Sequence, residues 1–121
     1  MGTEAAAALR ERLSGDLRGW PFARRRNVFG NPALTVPGTL FAFFRADHLV
    51  VKASPAVRAT LLTSPDVYEW VPEGSGMRSF GDWVAVPVAG RSDADLHAIL
   101  DDAYQRATGF APSSMDPPID L

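Results

Sequence analysis

The sequence has no cysteine and only two histidines, His48 and His97, in 121 residues. The first absence removes disulfide frameworks, thiolate nucleophiles, iron–sulfur clusters and every zinc site that needs sulfur. The second leaves any metal site dependent on carboxylates gathered from across the fold, and no spacing in the chain supports one. Lysine is scarce too: Lys52 stands alone against eleven arginines. With many alanines, that bias points to a GC-rich, bacterial coding sequence. No apolar run approaches the roughly 18 residues of a membrane helix. Met1-Gly2-Thr3-Glu4 and the alanines after it lack the basic segment that leads a secretory signal. The expectation is a cytoplasmic protein with no membrane contact.

Catalytic motifs are also missing. The chain contains no GxSxG elbow, no glycine-rich loop followed by lysine and Ser or Thr, no HExxH and no GxGxxG between a strand and a helix. Gly74-Ser75-Gly76 is only a loop fragment. No catalytic residue and no cofactor is assigned.

What is present describes one domain. At this length a chain buries roughly two thirds of its unfolded surface, and 46% of the residues are hydrophobic. The net charge of −2 argues against a generic polyanion binder, but it is unevenly spread. Residues 1–30 hold six arginines against Glu4, Glu11 and Asp16, whereas residues 91–121 hold Arg91 and Arg106 against six aspartates. The chain starts basic and ends acidic.

Thr3 fits an N-cap for a first helix carrying Ala5, Ala8, Leu9 and Leu13 at helical spacing, with Gly15 as its stop. Gly19-Trp20-Pro21 then breaks the helical pattern, leaving a loop with Trp20 tucked inward. Residues 26–52 read as a β-rich centre of four short strands: Val28-Phe29, Ala33 to Val36, Leu40 to Phe44, and Leu49 to Val51. Gly30-Asn31-Pro32, Pro37-Gly38 and Ala46-Asp47 separate them, which predicts an antiparallel meander. The third strand is apolar at successive positions, so both of its faces should meet protein.

Ser54-Pro55 starts a second helix whose buried side holds Val57, Leu61 and Leu62. Val67 to Val71 and Asp82 to Val88 read as further strands, with Pro87 marking an edge. Ser92 caps a last helix with Leu96, Ile99, Leu100, Ala103, Tyr104 and Ala107 at three-four spacing, and Gly109 stops it. The fold class is therefore α+β: an antiparallel sheet of five or six strands, in the order α-ββββ-α-ββ-α, with helices mainly on one side. Residues 1–109 form the domain and residues 110–121 read as a disordered, proline-rich tail.

Two patterns carry candidate function. Arg24-Arg25-Arg26 cannot all point inward, so some face solvent and suit phosphate or another anion, as nucleic-acid or anion contacts. The alternative is a solvated lead-in to a strand, paired with the acidic last helix. The glycine-rich loop 73–81, carrying Met77, Arg78 and Phe80 beside Trp70 and Trp83, suits closure over a small ligand. Tryptophans are equally core or interface anchors. Asp93 and Asp95 are explained by capping, and Asp101 and Asp102 read as solvent-facing. Phe41, Phe43 and Phe44 read as core, because Arg45 is the one basic residue beside them.

The segments Arg26 to Ala33, Val36 to Phe41 and Leu49 to Lys52 resemble the TfoX (Sxy) N-terminal domain, with its Phe-Gly pair after a basic stretch and a hydrophobic strand ending in a base. Met77, Trp83 to Val86 and Ala103-Tyr104 resemble its closing elements. Gly30-Asn31-Pro32 is similar to the glycine-x-proline pattern of YjbR/MmcQ double-wing domains. Val28 and Asn31 depart from the TfoX pattern, and the separate C-terminal helical domain is missing. The resemblance spans residues 4–107. It implies a small non-enzymatic regulatory or interaction module, DNA-associated or acting through a protein partner or homodimer. The alternative open at this point is a small-ligand binder, or an enzyme of another kind, using loop 73–81.

Overall fold

Glycine and proline set the hairpins, and the hairpins set the sheet. The computed structural model describes residues 2–14, 20–28, 30–45, 47–72, 76 and 81–109. Strands β1 (Arg24–Val28), β2 (Asn31–Val36), β3 (Thr39–Phe44) and β4 (His48–Lys52) form a continuous antiparallel meander. Gly38 sits at φ 77°, a backbone that a turn after Pro37 requires and that glycine adopts without steric cost. Around Asp47, Arg45 N–H donates to the His48 carbonyl at 2.9 Å and closes the next hairpin.

Helix α2 (Pro55–Leu61) leads to the two-residue strand β5 (Tyr68–Glu69), and β6 (Trp83–Pro87) then inserts between β4 and β5. The six-stranded order is β1-β2-β3-β4-β6-β5, antiparallel throughout. Pro87 lies beyond β5, which reaches only Val84 and Ala85, so its missing donor weakens no ladder on that side.

Helices α1 (Gly2–Ser14) and α3 (Asp93–Thr108), with α2, share one face of the sheet. There, Leu9 and Leu13 of α1 and Leu96, Leu100 and Tyr104 of α3 join Leu34, Phe44, Leu49 and Val86 in a single cluster. The Ser92 hydroxyl accepts from Asp95 N–H at 3.1 Å and Gly109 ends α3 at φ 87°. Trp20 is buried on this side, 5.5 Å from Tyr104 and 6.4 Å from Phe41 between ring centres. The Tyr104 hydroxyl donates to the Pro21 carbonyl, which ties the chain between α1 and β1 to the last helix.

Several details differ from the sequence expectation. Helix α1 begins at Gly2, so Thr3 lies inside its first turn, and Ala6 rather than Ala5 or Ala8 joins Leu9 and Leu13 in the core. In a run of alanines, adjacent faces look alike until the helix docks. Asn31 and Pro32 belong to β2 rather than to the turn. Strand β1 starts at Arg24, so the three arginines are the body of an edge strand. Val57, Leu61 and Leu62 are half-buried, and α2 has no fully buried residue. The pairing skips Phe41: Leu34 faces Ala42 and Thr35 faces Leu40. This bulge sends both Phe41 and Ala42 to the helical side, while Leu40 and Phe43 point to the other. It is the physical reason for the unbroken apolar run in β3.

Gly15, Gly74, Ser75, Met77, Arg78, Phe80 and the tail 110–121 lie outside the described residues.

A candidate ligand site on the uncovered sheet face

Among the described residues, no helix covers the second face of the sheet. The register lays a row across all six strands of that face: Arg26, Ala33, Phe43, Val50, Ala85 and Tyr68 are successive cross-strand partners. Two of the six, Ala33 and Ala85, are fully buried alanines. Phe43 and Trp83 are buried and Trp70 is half-buried. Their ring centres lie 5.0 Å apart for Phe43 and Trp70, 5.7 Å for Phe43 and Trp83, and 6.2 Å for the two tryptophans. These are edge-to-face and tilted contacts of the kind favoured by aromatic quadrupoles. Trp70 N–H donates to the Trp83 carbonyl at 3.0 Å, which extends the β5–β6 pairing by one residue and fixes the Trp70 backbone.

Against these rings opens a cavity of about 900 Å³. Val28, Leu40 and Phe43 form its β1–β3 side, and Tyr68, Trp70 and Trp83 its β5–β6 side, with Val71 and Pro72 beyond. Among the described residues its polar side chains are Asn31, Arg45, Tyr68 and Glu69. The Glu69 carboxylate is taken by the Arg58 guanidinium. Tyr68 is 50% exposed and stands 5.7 Å from His48 in an edge contact. His48 Nδ1 lies 2.8 Å from Asp47 Oδ1, and this hydrogen bond, with the adjoining charge, holds the Asp47 carboxyl below its ordinary value.

The three arginines divide by alternation. Arg25 is on the helical side, where it pairs with Glu11 of α1. Arg24 and Arg26 are on the uncovered side and line a groove of about 470 Å³ with Thr35 and Thr39. Leu40 borders both the groove and the aromatic cavity. The acidic last helix does not take up the arginine run. It reaches the first helix through Arg12 and Asp93 at 3.1 Å.

The remaining candidates sit on the helical side. Asp102, read as solvent-facing, accepts from Ser54 N–H at 2.9 Å and from the Ser54 hydroxyl at 2.7 Å, while Ser54 caps α2. His97 packs 5.2 Å from Trp20 and contacts Asp101 at 3.5 Å. Burial pushes the Asp101 carboxyl above its ordinary value, with the neighbouring His97 opposing. Among the described residues, no group of three or more His, Asp and Glu side chains could hold a metal ion, and no helix is long and apolar enough to cross a membrane.

Of the residues singled out by sequence, Trp70 and Trp83 meet in one cavity, and Arg24 and Arg26 share the groove beside it; Arg25 does not join them. Sequence reasoning missed Phe43, Leu40, Val28 and Tyr68. The signal available for Leu40 and Phe43 was strand alternation, which the β3 bulge hides; Val28 and Tyr68 join them only through the sheet order. The fold and site define an α+β domain with an aromatic cavity on an open antiparallel sheet. No family model matches the chain, and no curated protein matches it.

Proposed function

We propose that this protein is a non-enzymatic binding module that takes a small apolar ligand on the second face of its sheet. The observation that carries the reading is the 900 Å³ cavity edged by Phe43, Trp70 and Trp83. Its volume lies in the range of drug-sized ligand sites, and its lining is mainly apolar with few polar groups, as such sites are.

Titration with N-phenylnaphthylamine, a neutral fluorescent apolar probe, tests it. The probe should bind with a dissociation constant in the micromolar range and raise the melting temperature by mass action. Trp70→Ala, which removes the half-buried wall, should weaken binding at least tenfold while the far-ultraviolet circular dichroism is kept. Equal binding by the variant overturns the reading.

A second reading, a TfoX-type regulatory domain touching nucleic acid, draws support from the exposed Arg24 and Arg26. It ranks lower because Arg25 is committed to Glu11, leaving a patch of two charges. Anisotropy with single- and double-stranded DNA should then show affinity that falls steeply with salt. Salt-insensitive or undetectable binding at micromolar protein removes it.

A further inference from the structure

We propose that the ligand is an organic acid with a long apolar body, its body in the aromatic cavity and its carboxylate held by Arg24 and Arg26 in the adjoining groove. This rests on the binding reading above and adds the chemistry of the ligand's charged end.

The charge must lie outside the aromatic cavity. A carboxylate buried against Phe43, Trp70 and Trp83 would lose hydration that the rings cannot replace, and the one guanidinium given to that lining, Arg45, is exposed rather than buried with them. The cavity's neutral polar side chains are Asn31 and Tyr68, which argues against a ligand body rich in hydrogen-bonding groups, such as a nucleobase. The groove has what the cavity lacks. Arg24 and Arg26, two apart on β1, present planar forks suited to a carboxylate. The register places Thr35 directly across from Arg24, with its hydroxyl on the same side. Arg24 gives one N–H to the Ala23 carbonyl at 3.1 Å, and a guanidinium has five donors to share.

The two compartments are continuous at Leu40, and their spacing sets the ligand's length. Arg26 lies two strands from Phe43 along the cross-strand row, about 10 Å at the usual interstrand distance. A short aryl acid cannot reach both ends, whereas a chain of several methylenes can. Charge at the rim has the matching sign. Arg45 borders the cavity, and the carboxylate that lines it among the described residues, Glu69, is neutralised by Arg58.

The test uses dansylaminoundecanoic acid and its methyl ester, which share the apolar body and differ in the charge. The full-length protein should bind the acid at least tenfold more tightly than the ester, and the gap should close as salt rises. Arg24→Gln with Arg26→Gln, which keeps side-chain length on an exposed strand, should bring acid affinity down to that of the ester and leave the ester unchanged. Equal affinity for acid and ester in the unmodified protein, with both lost in Trp70→Ala, overturns the carboxylate assignment and leaves the cavity standing. An acid preference that survives the double substitution overturns it as well. Failure of both probes to bind, or their undiminished binding to Trp70→Ala, overturns the cavity reading itself.

Discussion

The two faces of the sheet are made by the same strands yet are built to opposite specifications. On the helical face, Leu34, Phe44, Leu49, Val51 and Val86 are fully buried and interlock with Leu96, Leu100 and Tyr104. On the other face a smaller cluster, Ala33, Phe43, Val50, Trp83 and Ala85, is buried with Val28, Leu40 and Trp70 packed against it. Its rings Phe43, Trp70 and Trp83 also line the cavity. The comparison teaches that stability and recognition are separable here, because one face supplies most of the buried surface and the other supplies the cavity.

The first prediction tests that separation where the effect is largest. Leu100→Ala removes a fully buried side chain between α3 and the sheet and should cost about 2–5 kcal/mol, by the usual cost of emptying a packed site. Each kcal/mol shifts the melting temperature of a domain this size by about 4–8 °C. Calorimetry should therefore show a large drop, while probe affinity below the transition stays within a factor of two. Loss of affinity along with stability would show that the two faces are one cooperative unit.

Asp102→Ala comes next. This carboxylate joins α3 to the capped start of α2 through two hydrogen bonds to Ser54, and bonds to a charged acceptor are worth about 1.5–3 kcal/mol each when a partner is left behind. The half-exposed setting favours the low end, so urea unfolding should report a loss of about 2 kcal/mol. Hydrogen exchange should quicken first in residues 55–62. A loss below about 0.5 kcal/mol, the range of an ordinary surface substitution, would mean that α2 is held by Val57 and Leu61 alone.

What could be read from the sequence follows the same division. Local chemistry identified the hairpins, the Ser54 and Ser92 caps, the Gly109 stop and the apolar stripe of α3, because each depends on residues within one turn of the chain. Non-local pairing was hidden. Nothing in Arg24-Arg25-Arg26 alternates in polarity, so an edge strand made of arginines reads as a loop, although cationic edges are a common guard against further strand pairing. The placement of β6 between β4 and β5 brings Trp83 beside Phe43 from forty residues away, and no short-range pattern encodes that. Trp70 and Trp83 were visible as candidates only because tryptophan is conspicuous.

The smallest expected effect is also the one that sharpens the comparison most, since the helical side and the β3–β4 turn carry carboxyls shifted in opposite directions. On the helical side, burial raises the Asp101 carboxyl above 3.8, and its Oδ1 is buried without a hydrogen-bond partner. The native state then holds that proton more tightly than the unfolded chain, so this group's contribution to stability falls as pH rises from 3.8 through its native value. Asp101→Asn should accordingly be slightly more stable than the unmodified protein at neutral pH, and the advantage should fade as pH falls through that window. In the turn between β3 and β4, His48 lowers the Asp47 carboxyl below 3.8. Its contribution is present above 3.8 and is lost as pH falls through the native value, so Asp47→Asn should be slightly less stable at neutral pH and converge with the unmodified protein in acid. Urea unfolding of both variants at neutral pH and near pH 4 reads the two signs directly. Shifts of the same sign would mean that Asp101 is solvated in solution and that the helical face admits water where the packing closes it.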